Sequence, residues 1–324
     1  MMMHSVEHAE QLDVDLNALT RDKMSWREYP KGVAKALQDA GYALTGWQGV
    51  TNCDVPMGAG LSSSASYELA IAQAFSVTSG FPWDPAKMAQ LTQKAENEWV
   101  GVNCGIMDQM ISASGREGHA VLIDCRDLAT HAVPLPDDTA IVILDTATRR
   151  GLVDSAYNER REQCEAASTF FGVKVLRDVS LETFEARGET LDPVVRRRAR
   201  HVITENARTE EAAKAMEQGD AERLGQLMNA SHDSLRDDFE VTNDELNTIV
   251  DIAREQSGCL GARMTGAGFG GCAVALVRSK KLDKFINSVC DTYTTKTALS
   301  PNIYTCKASE GAHEVALHES VIAS

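Results

Sequence analysis

The run Pro56-Met57-Gly58-Ala59-Gly60-Leu61-Ser62-Ser63-Ser64-Ala65-Ser66 places two glycines and three consecutive hydroxyls directly before a stretch of helical composition. Glycine lets the backbone approach a ligand closely and adopt positive φ. The free N–H groups of a first helical turn, together with the positive end of the helix dipole, suit a bound phosphate. A plainer reading makes the serines N-caps in a tight turn. No lysine follows the glycines at the spacing of a Walker loop, so any phosphate site here is of another kind.

Three other places carry chemistry. Gly105-Ile106-Met107-Asp108-Gln109-Met110-Ile111 sets one acid in an otherwise apolar stretch. Asp108 is then either a helix-start residue that satisfies backbone N–H groups, or a carboxylate in a dry cleft that accepts a proton from an attacking hydroxyl or orients it. Glu96 and Glu98 precede Trp99 on a helical stretch and are either solvated or, in one of them, metal-facing. No Cys/His cluster suggests zinc, so the expected metal is a hard cation such as Mg²⁺, held mainly by a substrate's phosphates. Met264-Thr265-Gly266-Ala267-Gly268-Phe269-Gly270-Gly271-Cys272 fits G-x-G-x-x-G. A dinucleotide fingerprint needs a helix after the glycines, whereas Cys272–Val277 reads as a strand, so this is either a packed turn or a loop that closes a ligand site.

The elements that position these residues follow from periodicity and punctuation. Trp26, Tyr29, Val33 and Leu37 are spaced for a helix that Gly41 stops. Gly46 to Asp54 reads as extended and Ser64 to Val77 as a helix ended by Gly80. Trp83 to Val100 reads as a helix capped by Asp84 before Pro85. Ala120–Asp124 and Ala140–Asp145 read as strands. From Val153 to about Gln256 the spacing predicts mostly helix, with breaks near Gly172, Gly188, Gly219 and Asp237. A strand over Cys272–Val277, a helix over Leu282–Tyr293 and strands at Ile303–Lys307 and His313–Leu317 complete the reading. Strands without regular βαβ alternation indicate an α+β fold.

With 324 residues, 43% of them hydrophobic, the chain can build one large or two moderate cores. Thirty-two Lys+Arg against 47 Asp+Glu give a formal charge of −15, which opposes binding to nucleic acid or to an anionic membrane surface. The eight cysteines are scattered without CxxC or zinc spacing, as in reduced thiols of a cytoplasmic protein. No secretory signal opens the sequence, and no apolar run approaches the roughly 20 residues that cross a bilayer.

Taken together, the motifs resemble the galactokinases of the GHMP kinase superfamily from about Trp26 onward. Pro56 to Ser66 resembles the family's second motif and Gly266 to Gly271 its third, and Gly105-Ile106-Met107-Asp108-Gln109 is similar to the segment that bears the catalytic aspartate. Similarity continues through Gly118–Cys125, Tyr157–Cys164, Arg200–Val202 and Ser231–Asp238. The resemblance implies a GHMP-kinase-like two-lobed fold, with an N-terminal lobe over 1–145 and a C-terminal lobe over 146–324. It implies that Gly58, Gly60, Leu61, Ser62, Ser63 and Ser64 bind ATP and that Ser64 and Glu96 contact Mg²⁺. Asp108 is the implied catalytic carboxylate, with Gly105, Asp108, Tyr157 and Arg149 at the sugar. The implied reaction moves the ATP γ-phosphate to the anomeric hydroxyl of galactose, in a cytoplasmic, monomeric enzyme. The family's G-R-V-N-L-I-G-E-H-T-D-Y signature has no counterpart here. An incomplete N-terminal lobe is therefore expected, without the arginine that neutralises the transferring phosphoryl group, and with weak or absent activity in this chain. The alternatives are a non-catalytic, galactokinase-like regulator that binds ATP or sugar, and a kinase for another small metabolite such as an amino sugar or mevalonate.

Overall fold

The computed structural model describes residues 1–148 and 153–315, with backbone only for 153–155. The chain divides into two units. The first comprises Met1–Met57, Ser62–Ala132 and the segment from Ala308 onward; the second comprises Gly58–Leu61 and Val133–Lys307. Relative to the expected division at 145/146, the second unit begins at Val133 and the chain's last segment returns to the first unit.

In the first unit, β1 (Met2–Ser5), β2 (Glu10–Asp13) and β3 (Gln48–Thr51) form a sheet of order β2-β1-β3. β1 is antiparallel to β2 and parallel to β3, with Met2 opposite Gln48 and Ser5 opposite Thr51. The parallel step needs a crossover, and α1 (Glu28–Asp39) lies within it. Then follow α2 (Ser63–Ser79), α3 (Pro85–Lys94), a π-helical turn at Ala95–Val100 and α4 (Met107–Ser114). Asp84 caps α3 by accepting from the Lys87 N–H at 3.1 Å, with Pro85 at the first helical position as expected. Helices α1 to α4 pack on one another around a core that includes Val33, Leu37, Leu69, Phe75, Met88 and Met110. β4 (His119–Ile123) and β5 (Thr130–Pro134) pair beyond α4.

The second unit is built on an antiparallel sheet of order β7-β8-β6-β9, from β6 (Thr139–Asp145), β7 (Cys259–Met264), β8 (Cys272–Arg278) and β9 (Asn302–Cys306). The helices are α5 (Val153–Phe171), α6 (Leu181–Arg187), α7 (Pro193–Glu217), α8 (Ala221–Ser234), α9 (Asp244–Glu255) and α10 (Leu282–Thr297). Asp192, Asp220 and Asn243 cap α7, α8 and α9 through their side chains. Among the described residues the outer edge of β7 has no strand neighbour, and α8 takes that place. Asn229 Oδ1 accepts from the Ala262 N–H at 2.9 Å, and His232 Nδ1 accepts from the Met264 N–H at 3.1 Å.

One expectation is corrected and another is refined. His313–Val315 is not a strand: the preceding Gly311 and Ala312 N–H groups donate to Gly115 and Ser112 carbonyls at the end of α4, so this backbone is held by a helix terminus. Residues 316–317 of that expectation lie outside the described residues. The break expected near Asp237 falls at Glu240: the helix runs on as a π-helical turn over Leu235–Phe239 and ends at Glu240 in the left-handed region, before α9. β1, β2, β5 and β7 were not anticipated.

Candidate functional site

Gly58 and Gly60 have φ of +69° and +76°, the conformation for which glycine was expected here. Ser62 also lies in the left-handed region, at φ 60° and ψ 31°, and its side chain makes no capping hydrogen bond. The first backbone bond of α2 runs from the Ser66 N–H to the Ser62 carbonyl at 3.0 Å, and the Ser66 hydroxyl donates to the Ser63 carbonyl at 2.9 Å. The earlier amides of the turn thus point out of the helix without a serine cap, in the arrangement that favours an anion. Within this run the capping alternative fails at Ser62.

Ser64 lies one turn before Glu68 on α2, and a spacing of four residues puts both on one helix face. That face meets Glu96, on the π-helical turn, and Gln109, in the first turn of α4. Glu96 is buried and is hydrogen-bonded by Cys104 and Gln109, and the Ser64 hydroxyl is near enough to favour its charged form. The Gln109 Nε2 donates to Glu96 Oε2 at 2.7 Å, and the Cys104 thiol donates to the same oxygen at 3.3 Å. Asparagine 97 and Gln93 hold the Cys104 loop: Asn97 Oδ1 accepts from the Cys104 N–H at 2.9 Å, and Gln93 Nε2 donates to the Cys104 carbonyl at 3.0 Å. A π-turn inside a helix often marks a functional site, and this one carries Glu96.

The electrostatics of the cluster are those of an excess of oxygen charge in a dehydrated place. Burial raises the pKa of Glu96; the donors from Cys104, Ser64 and Gln109 oppose this, and the charge of Asp108 adds to it. Burial, with the neighbouring Glu96, lifts Glu68 well above the usual carboxylate range. Burial and the charge of Glu96 push Tyr29 and Cys104 up to about 12. The described residues contain no group of three or more His, Cys, Asp or Glu able to hold a metal by themselves. One carboxylate and one hydroxyl, Glu96 and Ser64, fit instead the pattern of a hard cation that keeps most of its ligands from water and phosphate.

Asp108 stands in the first turn of α4, half-buried, and its charge reaches Glu96. Ser64 and Glu96 therefore lie near each other in the first unit, and Asp108, in the same unit, acts on Glu96 through its charge. Ser62 and Ser63 are half-buried at the head of α2, and Gly105 is exposed on the loop before α4. Gly58, Gly60 and Leu61 belong to the second unit. Tyr157 is exposed on α5, also in the second unit, and Arg149 lies outside the described residues.

The second glycine loop joins antiparallel β7 and β8, so no helix follows the glycines and the dinucleotide fingerprint is absent. Gly266, Gly268, Gly270 and Gly271 all have positive φ. A Cβ on Gly268 would lie 2.1 Å from the Val241 carbonyl oxygen. The Phe269 N–H donates to the Val241 carbonyl at 2.7 Å, and Thr146 donates through its hydroxyl to the Gly271 carbonyl at 2.7 Å. This loop is a tightly packed turn.

Sequence reading missed Glu68, Gln109, Cys104 and Tyr29. A signal existed for Glu68, the one acid in a helix whose other buried positions are Ala65, Leu69, Ile71, Ala72, Phe75 and Ser76.

Two family descriptions match the chain: the GHMP kinases N terminal domain over residues 28–116, and GHMP kinases C terminal over residues 212–295. The chain is similar to the crystal structure of Lactococcus lactis galactokinase complexed with galactose. The TM-score is 0.90 at 35% identity, over 97% of this chain and 84% of that one. It shares its fold with Methanococcus jannaschii mevalonate kinase, at TM-score 0.64 and 17% identity over 95% of this chain and 84% of that one. Streptococcus pneumoniae phosphomevalonate kinase, in complex with phosphomevalonate and AMPPNP, matches at TM-score 0.63 and 13% identity over 94% and 86%.

Proposed function

The chain belongs to the GHMP kinase family as a galactokinase-like member, and from that premise we propose that it transfers the ATP γ-phosphate to the C1 hydroxyl of galactose, giving galactose 1-phosphate. The observation that supports this reading most is the meeting of Ser64, from the uncapped head of α2, with Glu96, on which the charge of Asp108 also acts. A phosphate-binding turn and a candidate base are thereby tied to one buried carboxylate.

In this reading the free amides of α2 and the hydroxyls of Ser62 and Ser63 bind the ATP phosphates, with Gly58, Gly60 and Leu61 shaping the approach. The Asp108 carboxylate accepts the proton of the sugar's C1 hydroxyl as its oxygen bonds to the γ-phosphorus and the bond from that phosphorus to the β–γ bridging oxygen breaks. Glu96 and Ser64 would hold Mg²⁺, which supplies charge neutralisation to the phosphates. Gly105, Tyr157 and Arg149 are proposed at the sugar. Most of the acceleration in such a site comes from positioning and charge neutralisation.

The test is phosphorylation by the purified chain across galactose, glucose, N-acetylgalactosamine and mevalonate, alongside Asp108→Asn. Galactose is expected to be preferred, and Asp108→Asn to lower turnover by roughly 10²- to 10⁴-fold while ATP binding persists. ATP binding without phosphorylation of any acceptor would overturn this reading in favour of a non-catalytic regulator, and preference for another acceptor would reassign the substrate.

A further inference from the structure

Glu68 and Gln109 are both wholly buried, and each has one oxygen without a partner: Glu68 Oε1 and Gln109 Oε1. Their other atoms already meet, since Gln109 Nε2 lies 3.4 Å from Glu68 Oε2 as well as 2.7 Å from Glu96 Oε2. Two orphaned acceptors on side chains that face each other lack one proton between them. A buried acceptor left unsatisfied is costly, and both oxygens would gain a partner if Glu68 carried an O–H and gave it to the Gln109 carbonyl. That bond would add to the one Gln109 Nε2 already makes to Glu68 Oε2 at 3.4 Å. Burial favours this neutral form of Glu68. Such a bond would hold the amide of Gln109 with its nitrogen on Glu96, 2.7 Å from Oε2.

We propose that Gln109 is a positioning residue that fixes the Glu96 carboxylate toward Ser64, and that Glu68 acts behind it by fixing the amide of Gln109. The inference rests on the reading of Glu96 as the residue facing the nucleotide's metal. Gln109 and Glu68 are both wholly buried, and the role proposed for each acts through Glu96. Their separation in the chain, together with burial on α2 and α4, makes the support rigid, as an outer layer around a cation site must be.

The experiment is calorimetric titration of ATP into the full chain across a series of Mg²⁺ concentrations, for the wild type, Gln109→Leu, Gln109→Asn, Glu68→Leu and Glu68→Gln. Loss of the support is expected to raise the Mg²⁺ concentration at half-maximal ATP binding by roughly 10- to 100-fold in Gln109→Leu. Glu68→Leu should move it in the same direction. Glu68→Gln keeps a donor and an acceptor at the same reach and is expected to stay within about threefold of the wild type, a rescue that loss of packing alone does not produce. If Gln109→Leu fails to fold, Gln109→Asn carries the test, because it withdraws the amide from Glu96 by one methylene. A folded Gln109 variant with the wild-type Mg²⁺ dependence overturns the positioning role alone. A wild type that binds ATP with no dependence on Mg²⁺ overturns the metal reading of Glu96, and the role of Gln109 with it.

Discussion

Replacing Ser62 separates the two roles a serine can have at the head of a helix. A capping serine accepts from a first-turn N–H, and its loss to alanine costs about 0.5–2 kcal/mol. Ser62 makes no such bond and sits at φ 60°, so no capping energy is there to lose. Alanine shares the serine's discomfort in the left-handed region, and Ser62→Ala should leave unfolding free energy within about 0.5 kcal/mol of the wild type. Glycine relieves a strain of about 1 kcal/mol but frees the unfolded chain by a comparable amount, so Ser62→Gly should be neutral to slightly stabilising. Binding should behave in the opposite way. A hydroxyl that donates to a phosphate makes a hydrogen bond to a charged group, worth about 1.5–3 kcal/mol, so both variants should bind ATP roughly ten- to hundredfold more weakly. Urea unfolding gives the first quantity and calorimetry the second. A Ser62→Ala variant that loses more than about 1 kcal/mol of stability while binding ATP normally would refute the reasoning and restore the serine to a structural cap.

Two further outcomes concern the second unit. A Cβ on Gly225 would lie 2.2 Å from the Leu260 carbonyl oxygen, and one on Gly261 would lie 2.1 Å from the Gly225 carbonyl oxygen. Backbone meets backbone there, so Gly225→Ala or Gly261→Ala must push α8 off β7. Each should cost about 3 kcal/mol, the upper end of overpacking penalties, read as a fall in the urea midpoint; a change under about 0.5 kcal/mol would show that the contact yields. Burial, helped by nearby arginines, depresses His201 to about 3 and His232 to about 4 from an ordinary 6.5. Between those values and 6.5 the unfolded chain binds the extra protons, so stability is complete above about pH 6.5 and falls with acidification toward pH 3–4. The loss is on the order of 3–5 kcal/mol for each histidine once fully expressed. Urea unfolding at a series of pH values should show that slope, and His232→Gln should flatten its upper part.

What the sequence showed and what it hid divide along the distance over which each signal acts. The glycine and serine run, the Asp84 cap and the apolar runs of β6 and β8 are local: the chemistry and the shape they require are written in adjacent residues. β1 and β2 are four residues long and bury little beyond Met3 and Leu12, so their pairing depends on partners that no periodicity announces. β7 was hidden by Gly261, which reads as punctuation in isolation but is small because α8 touches it at Gly225. The candidate site divides in the same way. Asp108 and Ser64 stood out within their motifs as candidates, whereas Gln109 was overlooked beside Asp108 because its partner, Glu68, is 41 residues away. A lone acid on an apolar helix face and an amide next to a candidate base each look ordinary. Only the fold shows that each supplies what the other lacks, and an unpaired buried oxygen is a thermodynamic cost that a chain does not keep without a partner or a use.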